Sequence, residues 1–211
     1  MTDNFNLYRK FITEVYGGLP DTNEKGNLDK YFVIELMRRG KDNPDMSAAN
    51  YHFRNYYIYS WKDLNKYEKE IKDVCTLLKL RAYCSVNYKK MSQVALNTLA
   101  ESARRIAAHD YKKFYNIFES CSGKYVDKGN SVWVVDIDKE NLDAINIIKH
   151  YINEVKPNNI EKILFKMPTK SGLHLITKGF DLKTFNDNCK NELGYKVDVK
   201  KNHLTLLYEN L

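Results

Sequence analysis

Proline and glycine are scarce in this 211-residue chain, with 4 and 9 copies respectively, which excludes collagen-like and low-complexity architectures. Long apolar runs are missing too. Tyr31 to Met37 and Val132 to Val135 are among the longest, far short of the roughly 20 residues that a membrane-spanning helix needs. An integral membrane protein is therefore not expected. The N-terminus, Met1-Thr-Asp-Asn-Phe-Asn, has neither a basic start with an apolar stretch nor a small-residue cleavage site, which makes the cytoplasm the default location. The 4 cysteines, at positions 75, 84, 121 and 189, match neither zinc-ligand spacing nor a dithiol motif. They read as free, buried thiols.

What is present is core material and positive charge. Hydrophobic residues make up 43% and aromatics 13% of the chain, enough for a buried core in one domain or two closely joined ones. Lys and Arg number 34 against 27 Asp and Glu, a net charge of +7. Between residues 156 and 203 there are ten lysines and five acids. Lysine concentrated in this way suits a polyanion such as nucleic acid, because neutralising phosphates releases counterions. A merely solvated lysine surface is the bland alternative.

Apolar spacing in residues 1–16 predicts a helix ending at Gly17-Gly18, followed by a polar loop through Asn27. Residues 30–38 are apolar and ambiguous in type, Arg38 to Pro44 is a basic turn, and the aromatic run 51–59 resembles a strand. Ser60 is placed to cap a helix running to Leu78, a strand covers 81–87, and helices follow from Ser92 to about Ala108 and on to Phe118. Cys121 to Tyr125 reads as a loop. No phosphate loop is present at Ser122-Gly-Lys124, since the glycine run and preceding strand are both missing.

From residue 132 the order is strand 132–137, helix 141–155, strands 162–166 and 172–177, helix 182–193, strand 196–200 and a last strand 204–208. That is β-α-β-β-α-β with one strand added, the split β-α-β or ferredoxin-like arrangement also found in RNA-recognition motifs. The expected fold class is α+β: residues 126–211 form an antiparallel sheet with helices on one face and the other face free. Residues 1–125 form an α/β subdomain packed tightly against it.

Alternation along the strands then collects chemistry on the free face. Val135 and Ile137 point one way and Asp136 and Asp138 the other; Leu173 and Leu175 flank His174; Val197 and Val199 flank Asp198, with Lys200 on the same face as Asp198. Carboxylates two apart on a strand have Cα atoms roughly 6.5 to 7 Å apart, near enough to share divalent ions. Three carboxylates crowded together repel one another unless cations offset them. Lys166, Lys170 and Ser171 lie around the neighbouring turn. Singly, each residue has an ordinary explanation as a helix cap, a turn residue or a solvated strand residue; Asp138 could cap the helix after it.

The segments Val134-Val-Asp-Ile-Asp138, Thr169-Lys-Ser-Gly-Leu-His-Leu-Ile-Thr177 and Tyr195-Lys-Val-Asp-Val199 resemble, in order and type, the motifs of the archaeo-eukaryotic primase superfamily, which includes phage primase-polymerases. The resemblance covers about residues 131–208. It implies a metal-dependent nucleotidyltransferase that makes a primer or extends a strand on a template, most readily single-stranded DNA, from nucleoside triphosphates. It further implies that Asp136, Asp138 and Asp198 bind two Mg²⁺ or Mn²⁺ ions and act as the catalytic residues. His174, Lys170, Ser171, Lys166 and Lys200 are then nucleotide-binding residues. Gly172 departs from the pattern, since the family often has serine there. A replication helicase or accessory subunit is a further partner the resemblance implies, and a phage source would put the protein in the host cytoplasm. Template contacts are expected from Arg38, Arg39, Lys41, Arg54, Arg81, Lys89 and Lys90, with Tyr56 and Tyr57 as stacking faces. The competing readings are a non-catalytic nucleic-acid-binding module of the same topology and a two-metal nuclease.

Overall fold

The computed structural model describes residues 1–22, 29–40, 50–125, 127, 131–158 and 160–210; Lys41 lies outside the described residues, as do parts of the loop before Asn27 and of the basic turn before Pro44. In chain order the elements are β1 (Thr2–Asp3), α1 (Phe5–Tyr16), β2 (Lys30–Arg38), β3 (Tyr51–Ile58), α2 (Trp61–Leu78), β4 (Arg81–Ser85), β5 (Lys89–Lys90), α3 (Met91–Ala107) and α4 (Ile117–Lys124). There follow β6 (Trp133–Asp138), a 3₁₀ turn (Lys139–Ala144), α5 (Ile145–Glu154), β7 (Ile163–Thr169), β8 (Gly172–Thr177), α6 (Leu182–Leu193), β9 (Asp198–Lys201) and β10 (Leu204–Glu209). The fold is α+β, with two antiparallel sheets.

Local signals set several boundaries. α1 buries Phe5, Tyr8, Phe11 and Ile12 and stops where Gly17 adopts φ 77°, with Gly17 and Gly18 donating to the last helical carbonyls. α2 opens on a capping box: Ser60 accepts from the Asp63 amide while the Asp63 carboxylate accepts from the Ser60 amide. The ambiguous segment 30–38 is a strand paired on both sides, with β3 and β4. Residues Cys121 to Lys124, expected as a loop, form the last turn of α4 instead. The Ser122 hydroxyl is buried there and accepts from Tyr31, a tertiary anchor that overrides the weak local propensity.

The second sheet runs β7-β8-β6-β9, which puts β6 between β8 and β9 as the split β-α-β order requires. Val135, Ile137, Leu175 and Val197 pack with Ile148 and Ile152 of α5 and Phe185 and Cys189 of α6. The opposite face is not free, contrary to expectation. Val134, Ile176, Phe165 and Met167 on that face join the core of the first sheet, where Phe165 meets Phe11 of α1 edge-on at 5.6 Å. Apolar residues on both faces of these strands demand cover on both sides.

The added last strand also departs from expectation. β10 leaves the second sheet and inserts in the first, whose order is β1-β10-β4-β2-β3, with β5 on β2. Its residues Leu206, Leu207 and Tyr208 are buried. Two buried asparagines join the sheets further: Asn4 donates to the carbonyls of Pro168 and Leu206, and Asn87 exchanges two hydrogen bonds with the backbone of Val132. Among the described residues no helix is long and apolar enough to cross a membrane.

Candidate active site between the two sheets

Burial falls along β6 from Val134, wholly buried, through Asp136 to exposed Asp138. Where the strand emerges, Asp136 stands directly opposite His174 on β8 and Asp198 on β9. The alternation read from the sequence holds on all three strands, since their apolar neighbours all pack against α5 and α6.

Asp136 is the centre of the cluster. One carboxylate oxygen lies 3.2 Å from His174 Nε2 and the other 2.8 Å from Lys200 Nζ. Lys200 Nζ also lies 3.1 Å from Asp198 Oδ2, so a single ammonium bridges two carboxylates. The hydrogen bond to His174, with Lys200 adding to it, holds Asp136 far below its ordinary value despite partial burial. Burial opposes the charge of Lys200, but its bonds to Asp136 and Asp198 outweigh that and raise it. His174 is buried, and its Nδ1 lies 2.8 Å from the Thr205 hydroxyl on β10. An ionised Asp136 can only accept, which assigns the Nε2 proton to the imidazole and leaves the Thr205 hydroxyl able to donate to Nδ1.

The cluster opens into a cleft of about 300 Å³ between the two sheets. Asp136, Asp138, His174, Lys170, Ser171 and Lys200 line it from the second sheet, and Arg39, Arg81, Tyr83 and Leu206 from the first. Lys170 and Ser171 form the exposed two-residue tip between β7 and β8, tied down where the Lys139 amide donates to the Ser171 carbonyl at 2.6 Å. Asp138 stands at the N-terminal end of the 3₁₀ turn but makes no side-chain cap bond there, which removes the capping explanation for it.

Other expected contacts go elsewhere. Lys166 is exposed on β7 and turns to the helix side, where burial and the neighbouring Lys166 together lower Lys149 of α5; its strand neighbours Phe165 and Met167 take the cleft-side core. Arg81 is buried and ion-paired with Glu209, its partner across β4 and β10, at 3.1 Å. It reaches the cleft wall with its charge already compensated. Lys89 is buried, donates to the Tyr125 carbonyl and the Asn202 amide oxygen, and is pulled down to about 8 by burial; it ties elements together. Lys90 pairs with Asp127 at 3.5 Å, and Arg38 donates to the Leu78 carbonyl. Arg54 is exposed, pairs with Glu70 and stacks over Tyr56 at 4.8 Å. Tyr56 is buried with its hydroxyl on Glu70, and Tyr57 packs edge-on against Tyr31 and Phe118. Of the expected template cations that are described, Arg39 and Arg81 reach the cleft.

Thr205 and His203 were missed from sequence. His203 lines the cleft, and desolvation, with Lys200 and His174 adding to it, pulls it down to about 4. Both lie in or beside β10, and only knowing which sheet receives that strand links them to His174.

Comparison with protein-family models, with curated proteins and with solved structures returned no match. Among the described residues no three His, Cys, Asp or Glu side chains converge into a group that could hold a metal. The cation between Asp136 and Asp198 is the ammonium of Lys200.

Proposed function

We propose that the chain is a metal-dependent nucleotidyltransferase that makes or extends a nucleic-acid strand from nucleoside triphosphates on a single-stranded template, as the primase resemblance implies. The observation that carries this reading is the register of β6, which sets Asp136 opposite both His174 and Asp198 at the mouth of a cleft lined by Lys170, Lys200 and Arg39. Carboxylates, a hydrogen-bonded imidazole and a basic collar form the set of groups that phosphoryl chemistry uses.

The donor set suits Mg²⁺ or Mn²⁺, which prefer hard oxygen ligands and keep several positions for water and phosphate. The three acids do not converge as they stand; Asp136 and Asp198, which share Lys200, are the pair that would hold an ion first, and Asp138 at the cleft edge would have to turn toward it to join them. Such ions activate an attacking hydroxyl and neutralise charge on the leaving phosphate. The chain's own groups do the remaining work. His174, oriented by Thr205 on Nδ1, spends its Nε2–H on Asp136 and would offer it to a phosphate oxygen or sugar hydroxyl once an ion takes over that carboxylate. Lys170 and Ser171, on a tip anchored to the start of the 3₁₀ turn, give a cation and a hydroxyl to the triphosphate. Arg39 supplies positive charge from the facing wall. The residues that β6, β8 and β9 turn to the cleft are Asp136, Asp138, His174 and Lys200 rather than the stacking aromatics of an RNA-binding sheet, which favours catalysis over simple binding.

The test is incorporation of labelled nucleotide on single-stranded DNA with Mg²⁺ or Mn²⁺. Wild type is expected to form product, and Asp136→Ala/Asp138→Ala to lose it by roughly 10²-fold or more. Equal template binding by both proteins with no product from either would overturn the reading, and degradation of the strand without extension would replace it with a nuclease.

A further inference from the structure

The ammonium of Lys200 sits 2.8 Å from Asp136 and 3.1 Å from Asp198, two carboxylates on adjoining strands placed directly opposite each other. Lys200 is not across from either one. Its own partner on β6 is Val134, two residues before Asp136, so the side chain must run along the sheet to bring its head between the acids. The arrangement is that of a cation shared by two ligands, made by a flexible stem. Three features make it releasable. The lysine and Asp198 side chains keep 30% and 61% of their exposure, so that water can take over part of their solvation. An ammonium is a compact charge with freely rotating donors and no fixed fork. Lys200 also lines the cleft, which gives the displaced head a destination beside any bound phosphate.

We propose that Lys200 is a displaceable internal counterion: it occupies the cation position between Asp136 and Asp198 until a divalent ion enters, then swings into the cleft to meet the phosphate that accompanies the ion. Ion entry and lysine release are thus one exchange. Repulsion between the two carboxylates is offset in either state, and ions without nucleotide bind weakly because they must expel a lysine that has nowhere better to go. The inference rests on the nucleotidyltransferase reading only for the identity of the ion and the phosphate.

The experiment measures binding rather than turnover. Mn²⁺ is titrated into nucleotide-free protein and the free ion is followed by its electron paramagnetic resonance signal, for wild type, Lys200→Met, Lys200→Gln and Lys200→Arg, with thermal melts in the same buffers. The two neutral variants are expected to bind Mn²⁺ on the order of 10-fold more tightly than wild type, to melt lower than wild type without the ion and to recover more on adding it. Lys200→Arg, which keeps the charge, should bind no more tightly than wild type, and adding Asp136→Asn to Lys200→Met should erase the gain. Two neutral variants guard against one of them failing to fold. If wild type binds Mn²⁺ and both neutral variants bind it equally or less well, the counterion role is overturned while the metal site stands. If neither wild type nor any variant binds the ion, the metal-dependent reading itself falls and the counterion role with it.

Discussion

Asp136 shows how much of one residue's behaviour comes from its partners. With His174 on one oxygen and Lys200 on the other, its carboxyl is held well below the ordinary 3.8. A carboxylate depressed by folding stabilises the protein above its unfolded value, and that contribution is lost as the pH falls below it. Wild type should therefore exceed Asp136→Asn in stability at neutral pH by on the order of 1–2 kcal/mol, and the gap should close as the pH drops below about 4. Thermal melts of both proteins from pH 7 to pH 2.5 check this; a gap that is constant or widens in acid would contradict it. The residues of this cluster were legible because strict alternation of acid with Val, Ile or Leu reveals which way each side chain points. Partnership was not legible. Charge is visible in a sequence but not the group that neutralises it, which is why Arg81 and Lys89 read as free cations although Glu209, 128 residues away from Arg81, and the Tyr125 carbonyl hold them.

At the scale of elements, the site depends on how closely β8 lies against β6. A Cβ added at Gly172 would stand 2.1 Å from the Ile137 carbonyl oxygen and 3.0 Å from the Asp138 Cα. Backbone fills the space that a side chain at 172 would take, which is the physical reason for a glycine at this position. Gly172→Ala should push the strands apart, cost about 1–3 kcal/mol and move both the Lys170–Ser171 tip and Asp138. Gly123→Ala, with nothing within 4 Å of the added atom, serves as control and should be neutral or slightly stabilising in its helix. Urea unfolding of the two variants decides it, and equal midpoints would refute the close-approach argument. Most elements could be read from periodicity, including the order of the second sheet, because their patterns are local. The end of α4 could not, since its last turn is held by a hydrogen bond from Tyr31, 91 positions earlier. The α3 helix was legible as a helix, yet it buries Val94 alone and leaves Leu96 and Leu99 60% and 68% exposed, an orientation that composition does not reveal.

Across the whole molecule the two sheets are interlocked rather than merely packed. β10, at the far end of the chain, runs between β1 and β4, and on its way its Thr205 holds His174 of the second sheet. Its own pattern, Leu-Thr-Leu-Leu-Tyr-Glu, would serve either sheet equally well; the choice is made by β4, 119 residues before it at Leu204 and Ser85, and by the Arg81–Glu209 pair that registers the two strands. Long-range pairing of this kind leaves no local trace. It has a consequence for dissection at residue 125, the boundary that the sequence suggests. A fragment of residues 1–125 would lose the strand between β1 and β4, leaving an open edge on β4, and would strip Val134, Phe165, Met167, Ile176 and Leu207 from the core that Phe11 and Ile34 share with them. The fragment should show no cooperative thermal transition by circular dichroism and should elute as an expanded or aggregated species on gel filtration. A cooperative melt close to that of the full chain would mean that the first sheet is stable without β10, and that the closing strand serves chiefly to position Thr205 behind His174.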